Sequence, residues 1–269
     1  MKSALSLARQ LVEQLGEAIV VGVFAHRPFP TEGELAHRYR AGRATVREAV
    51  KMLVAKGLLH GHAGQGTFVA SETAWRLYDP DIQRWLLARR FSLPLLTQLT
   101  QVRLGAEPVA AALAARHMTD AVGRAFETAL GDIKVAARGE RDMLSAKVAF
   151  HLLVLDTTRN SLYRSLGALV TTGLTVSATF ANRCRRPPDT TDYDVLCAAL
   201  TGGEPERSRA AMRAVISQVM RAIAAHQSEE RLQKEAEQSR VVSTLSVISL
   251  GTPDFVGNQK AEPAGWSLD

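Results

Sequence analysis

The sequence predicts a mostly α protein: an N-terminal winged helix-turn-helix with a small β-hairpin wing, then an all-α helical-bundle domain. Three observations carry this. Two short helical segments lead into a third that bears Arg43, Arg47 and Lys51 at four-residue spacing. A segment broken by Gly61, Gly64 and Gly66 follows that third helix at once. From Trp75 onward the apolar periodicity is helical, without strand alternation. The predicted domains are residues 1–74, 75–228 and an acidic, flexible tail over 229–269.

The first helix is predicted over 5–21, where Leu5, Ala8, Leu11, Val12, Leu15 and Ile19 share a stripe. Pro28 and Pro30 stop it, and Thr31 with Glu34 forms a capping box that opens a second, short helix ending near Tyr39. Gly42 is the expected turn residue. The third helix spans 43–56, with Gly57 as its C-terminal cap. Its Val46, Ala49, Val50 and Leu53 fall on one arc, and its cations fall on the other. "LLHG" and "GTFVA" then form two brief strands. A catalytic phosphate loop would place its glycines before the helix, whereas a wing tip passing close to a DNA backbone needs them after it.

In the second domain helices are predicted over about 93–117, with a kink point at Pro108, and over 120–138, 141–158, 161–182, 192–201 and 204–234. Pro187 and Pro188 keep "RCRRPPDTTD" out of helix. The tail's "VVSTLSVISL" is β-prone.

A net charge of +6 permits an anionic partner. Residues 1–74 and 75–228 are both net basic, so bulk charge does not single out the N-terminal segment and charge geometry has to. No apolar run reaches the roughly 18–20 residues of a membrane span, and charges interrupt any signal-peptide core at the N-terminus. Cys184 and Cys197 make neither a zinc pattern nor a disulfide framework, so a reducing cytoplasm is expected.

The segment "FPTEGELAHRYRAGRATVREAVKMLVAKGLLHGHAGQGTFV" resembles the DNA-binding domain of GntR-family bacterial regulators. That resemblance implies DNA contacts from Arg43, Thr45 and Arg47, and from the wing tip at Gly64 and Gln65; Lys51 extends the same basic face. Many relatives carry arginine where this chain has Gly33, and serine or threonine where it has Gly42. "VRLGAEPVAAALAARHMT", "AFHLLVLDTTRNSLY" and "ALTGGEPERSRAAM" resemble the effector-binding and dimerisation domain of the FadR-type subfamily. "AWRLYDPDIQRWL" is similar to regulators of the galactonate-operon-repressor type, which repress sugar-acid catabolism genes.

Many members of that subfamily bind a divalent metal through an aspartate four residues before the histidine of "FH" and two later histidines. At those positions this chain has Lys147, His151, Tyr193 and Val215, so no metal and no cofactor is expected. Instead, Lys147 with His151, Arg103, Arg183 and Tyr193 is the candidate site for a small carboxylate effector, bound by charge-assisted hydrogen bonds. Two plainer readings stand beside it: His151 as a core histidine bonded to a neighbour, and Arg103 paired with Glu107 at i,i+4. The functional expectation is a dimeric, cytoplasmic repressor that binds double-stranded operator DNA and answers to a sugar acid. The alternatives are a helical metal-dependent enzyme, for which no HExxH motif or nucleophile constellation is present, and a DNA-binding protein without effector.

Overall fold

A computed structural model describes residues 6–62, 66–185 and 190–249. Eleven helices and one two-stranded sheet occur among them, and the fold is mostly α. Residues up to Arg221 form one compact unit and those from Ala222 a second.

The first three helices are α1 (Leu7–Val20), α2 (Glu32–Tyr39) and α3 (Arg43–Ala55). Thr31 caps α2 as expected: its Oγ1 accepts from the Glu34 backbone N–H at 3.2 Å, and Glu34 Oε2 accepts from the Thr31 N–H at 2.8 Å. The turn after α2 differs from the sequence expectation. Arg40, not Gly42, takes the left-handed conformation, at φ 49°. Arg40 N–H bonds His37 O and Ala41 N–H bonds Ala36 O, a Schellman closure that puts the positive φ on the residue just past the helix. Gly42 is extended and is the N-cap of α3, where it supplies no side-chain oxygen.

The end of α3 follows expectation. Gly57 lies at φ 76°, its N–H bonds Val54 O, and Leu58 N–H bonds Leu53 O. A Cβ on Gly57 would fall 2.2 Å from the Ala74 carbonyl oxygen, so the position requires glycine on two counts. Strands β1 (Leu59–His62) and β2 (Gly66–Val69) pair antiparallel, with Leu59 opposite Val69 and His62 opposite Gly66.

Leu11, Leu15 and Ile19 of α1, Leu35 of α2 and Val46, Ala49 and Leu53 of α3 build the first core. Burying each leucine contributes about 1.5–3 kcal/mol. The same core takes in Trp75 and, from α4 (Pro80–Leu86), Ile82, Trp85 and Leu86. Trp85 lies so close over Gly16 that an added Cβ there would meet its ring at 2.3 Å. Three further ties hold α4 to the first module. Trp85 Nε1 donates to Glu13 at 3.0 Å, Arg84 pairs with Glu13 at 2.5 Å, and Lys56 pairs with Asp79 at 2.7 Å and Asp81 at 2.8 Å. Lys56 ends α3 while both aspartates begin α4, so each charge also suits its helix dipole.

The second core is formed by α5 (Leu93–Ala115), α6 (Asp120–Ala137), α7 (Met143–Thr157), α9 (Gly167–Arg183), α10 (Thr191–Thr201) and α11 (Pro205–Ser249). Phe126, Phe150, Leu196 and Met212 are fully buried at its centre. Helix α5 continues through the expected kink point at Pro108. The single helix expected over 161–182 is two, α8 (Ser161–Ser165) and α9, divided at Leu166. The largest departure lies at the C-terminus. α11 runs to Ser249, where the sequence suggested an end at 234 and a flexible, β-prone continuation. From 228 to 240 the chain is mostly Glu, Gln, Lys and Arg, with no glycine or proline before Gly251, so nothing in it breaks a helix. Within the second unit His226 pairs with Glu230 one turn on, at 3.3 Å. Residues 250–269 lie outside the described ones.

Candidate nucleic-acid interface and buried charge network

Because α3 spends Val46, Ala49, Val50 and Leu53 on the core, its opposite face presents Arg43, Arg47 and Lys51 to solvent. Thr45 is half-buried beside them. Arg47 Nε donates to Glu32 Oε2 at 3.3 Å, with both side chains substantially exposed. Such a pair contributes at most about 1 kcal/mol, so the guanidinium is available to a competing anion. Arg38 and Arg40 are exposed at the turn before α3, and sequence reasoning did not single them out. The signal for Arg40 was that the nearest glycine, Gly42, lies two residues beyond the position where α2 closes. Lys56, a further cation of the same segment, is committed to Asp79 and Asp81. The wing strands are in place, with Phe68 stacked on His60 at 5.8 Å. Gly64 and Gln65, the expected tip contacts, lie outside the described residues.

The helical domain brings four of its five candidate residues together. Arg103 and Glu107 stand one turn apart on α5, His151 comes from α7, and Tyr193 from α10. Arg103 Nε donates to Glu107 Oε1 at 2.5 Å, the other carboxylate oxygen bonds His151 Nδ1, and His151 Nε2 lies 3.0 Å from the Tyr193 hydroxyl. Gly173 of α9 makes room for the guanidinium: a Cβ there would fall 2.7 Å from Arg103 Cδ. Lys147, half-buried one turn before His151, lies over the Tyr193 ring with Nζ 5.4 Å from its centroid.

All four linked side chains are at most 2% exposed, which sets their protonation. Burial alone would raise the Glu107 carboxyl, but the Arg103 charge and the bonds from Arg103 and His151 overcome it and hold it near about 2. Burial lowers the His151 pKa despite the facing carboxylate, and burial raises that of Tyr193. The consistent state is a neutral histidine. Its Nδ1–H donates to ionised Glu107, and its Nε2 accepts from the Tyr193 O–H. Thus the plainer readings of the sequence hold: His151 is a core histidine with both nitrogens engaged, and Arg103 pairs with Glu107.

Arg183 does not join this group. It is exposed, its guanidinium lies 5.1 Å above the Phe91 ring, and ten residues of α9 separate it from Gly173, about 15 Å of helix. Beside Phe91 is a small open crevice lined by Leu86, Arg89, Arg90, Leu95 and Thr179 among others. Nor do the network's residues fit a metal ion. Both His151 nitrogens are used, Glu107 is neutralised by Arg103, and the Lys147 ammonium would repel a cation. Among the described residues no group of three or more His, Cys, Asp or Glu is placed to hold one. None of the described helices is long and apolar enough to cross a membrane.

Comparison with known proteins agrees with this arrangement. Residues 7–69 match the family described as "Bacterial regulatory proteins, gntR family", and residues 98–218 match the FCD domain. The galactonate operon transcriptional repressor of Escherichia coli K12 is 29% identical over 163 residues, which span 60% of this chain and 71% of that protein. The HTH-type transcriptional regulator LutR of Bacillus subtilis is 32% identical over 133 residues, 49% of this chain and 58% of that one. A solved structure of Lar, which controls expression of the Listeria monocytogenes agr system, covers 83% of this chain and 99% of its own at a TM-score of 0.54 and 13% identity. At that identity the likeness concerns the fold alone. With the helix-turn-helix and wing at its N-terminus and the helical domain behind them, the chain belongs to the GntR family of bacterial regulatory proteins, in the FadR-type group that carries an FCD domain.

Proposed function

We propose that this chain is a homodimeric, cytoplasmic transcriptional repressor of a catabolic operon, released from its operator by a small carboxylate such as a sugar acid, and that it is not an enzyme. The observation that carries the reading is the exposed cationic face of α3 beside a paired wing, with Arg47 held only by a surface glutamate. On this reading Arg43, Thr45, Arg47 and Lys51 enter the major groove, Gly64 and Gln65 at the wing tip approach the backbone, and two copies read two half-sites. Residues 1–74 supply the DNA contacts and 75–228 the effector site and dimer contacts. The galactonate operon repressor among the relatives supports the sugar-acid class.

Effector binding must disturb a network that is closed. Lys147, the one half-buried member of the cluster, offers the first contact to an incoming carboxylate, and Arg103, His151 and Tyr193 follow as Glu107 is displaced. Arg103 and Glu107 stand in the middle of α5, and Leu95, two turns earlier on that helix, packs against the core of the DNA-binding module. A shift of α5 is therefore felt where α3 is anchored. A second reading, DNA binding without any effector, draws on the same closure, since Glu107 already satisfies Arg103 and His151. One experiment separates them. The protein is titrated onto labelled duplex DNA from upstream of its own gene, across a salt series, with and without a panel of sugar acids. Tight, salt-dependent binding that one sugar acid reverses is expected. Binding that no carboxylate changes would favour the effector-free reading, and no specific binding would overturn both.

A further inference from the structure

Two stretches of the chain carry arginines but no aspartate or glutamate, one from Ile82 to Ala106 and the other from Thr157 to Pro188. The fold brings them together. Helix α4 packs on α9, and Phe91, in the turn after α4, stacks on Phe180 of α9 at 5.8 Å. The crevice beside Phe91 takes its lining from residues 86–95 of the first stretch and 175–179 of the second. Among its cations Arg89 is paired with Glu72. Arg90 and Arg183 are exposed, and among the described residues neither meets a carboxylate. Arg183, one turn beyond Thr179, lies over the Phe91 ring with Cζ 5.1 Å from its centroid. That stacking fixes the guanidinium and leaves its in-plane donors open. Away from the two guanidinium groups the lining is apolar, formed by Leu86, Phe91, Leu95 and Val176. Thr175 and Thr179 add little polarity, because their hydroxyls donate within α9 to Thr171 O at 2.8 Å and Thr175 O at 3.0 Å. Ser92 Oγ accepts from the Leu95 N–H at 3.3 Å and keeps its own proton to donate.

We propose that this crevice is a second ligand site, separate from the buried network around His151, for a small monocarboxylate with an aromatic or short alkyl body. The apolar lining takes the body, and Arg183 and Arg90 receive the carboxylate through charge-assisted hydrogen bonds. A sugar acid does not suit it, because each of its hydroxyls needs a partner and the threonine hydroxyls are already engaged. The crevice also lies on the seam between two cores. Leu86 and Leu95 pack in the core of the DNA-binding module, while α9 enters the helical core through Val170 and Leu174. A ligand here touches both modules at once. The inference goes beyond the effector reading above and does not depend on it.

The probe is benzoate, with neutral benzamide of nearly the same shape as its control, titrated into the full chain by calorimetry. Wild type is expected to bind one benzoate per chain, at least about tenfold more tightly than benzamide. The double variant Arg90→Gln with Arg183→Gln is expected to lose that preference. Thr179→Phe, which fills the crevice from an exposed position, is expected to abolish binding. Lys147→Gln, at the buried network, is expected to change nothing. Wild type that binds benzoate no better than benzamide, or not at all in the millimolar range, overturns the proposal. So does binding that survives unchanged in both crevice variants. If Lys147→Gln alone abolishes binding, the carboxylate enters the network instead, which overturns this site and leaves the effector reading standing. Helical circular dichroism checks each variant. Should Thr179→Phe lose structure, the arginine variant, changed only at exposed positions, decides by itself.

Discussion

Arg47 and Arg103 each stand on a helix with a glutamate as partner, and there the likeness ends. The Arg47 side chain is 62% exposed and sits 3.3 Å from Glu32, whereas Arg103 is 2% exposed and 2.5 Å from Glu107. Water and salt keep the first pair weak, so its cation remains ready for a phosphate or a base edge. The second pair is desolvated and fixed in a chain that runs on through His151 to Tyr193, so its cation reaches another anion only if Glu107 is displaced. Equal residue types therefore stand in opposite states, one cation open to a competing anion and the other enclosed by the fold. The contrast also explains α5. A helix that turns both its charges inward has only an uncharged face left to show.

The comparison breaks most visibly under truncation. Arg103→Met is expected to cost about 3–5 kcal/mol of unfolding free energy, because it strands the Glu107 carboxylate without its cation. The double variant Arg103→Met with Glu107→Met is expected to recover most of that loss, since removing both charges removes the penalty. Urea denaturation of the two proteins measures the difference. If the single variant loses under about 1 kcal/mol, the network is not structural, and Arg103 is held for a ligand.

Arg47→Ala is the counterpart on the other side. It is expected to leave stability within about 0.5 kcal/mol, as exposed substitutions do. It should weaken specific operator binding by about 1–3 kcal/mol if the guanidinium reads a base pair. A fluorescence titration with unchanged operator affinity would remove Arg47 from the interface. Urea denaturation of the same variant tests the stability half separately.

Much of this division is legible in the sequence. The Thr31–Glu34 box, the closure at Gly57 and the apolar arc of α3 are local patterns, fixed by residues within one or two turns, and each appears where the residues predict it. Pairing of Arg103 with Glu107 is legible for the same reason. Glu107 as partner of His151 is not, because 44 residues separate them and only the packing of α5 against α7 brings them together. Arg183 is misplaced by the opposite error: it is a cation in the right domain on the right helix, but too far along it. The length of α11 escapes the sequence because β-branched residues after 240 suggest a strand. Propensity there differs by tenths of a kcal/mol, and no helix breaker intervenes.

The buried side of the comparison also carries a pH signature. His151 has a lowered pKa in the folded chain, so its share of stability is complete above the ordinary value of 6.5 and is lost as pH falls through the folded value. Glu107 acts in the same direction lower down, between its ordinary 4.5 and about 2. Stability is therefore expected to begin falling below pH 6.5, with a slope of up to about 1.4 kcal/mol per pH unit for the single proton. In His151→Gln the first of these declines is expected to disappear while the second remains. Denaturant midpoints across roughly pH 2–8 decide it. An identical decline in the variant would place the proton elsewhere.

The smallest effect expected is the most discriminating, because it changes sign between the two measurements. Arg40 holds a left-handed conformation, φ 49°, at the residue that closes α2. A non-glycine side chain there costs roughly 1–2 kcal/mol, while a glycine gains chain entropy in the unfolded state worth about 0.4–1 kcal/mol. Arg40→Gly is therefore expected to stabilise the domain by up to about 1 kcal/mol. An arginine kept at a strained position, exposed in the turn that introduces α3, suggests a use that offsets the strain, and the nearest use is a phosphate beside the groove that α3 enters. If so, the same variant should bind DNA more weakly at every sequence, with the slope of log affinity against log salt reduced by about 1. A more stable protein with weaker, less salt-sensitive binding assigns Arg40 to the DNA face. Stability gained with binding and salt slope both unchanged would reduce Arg40 to a helix stop that happens to be charged.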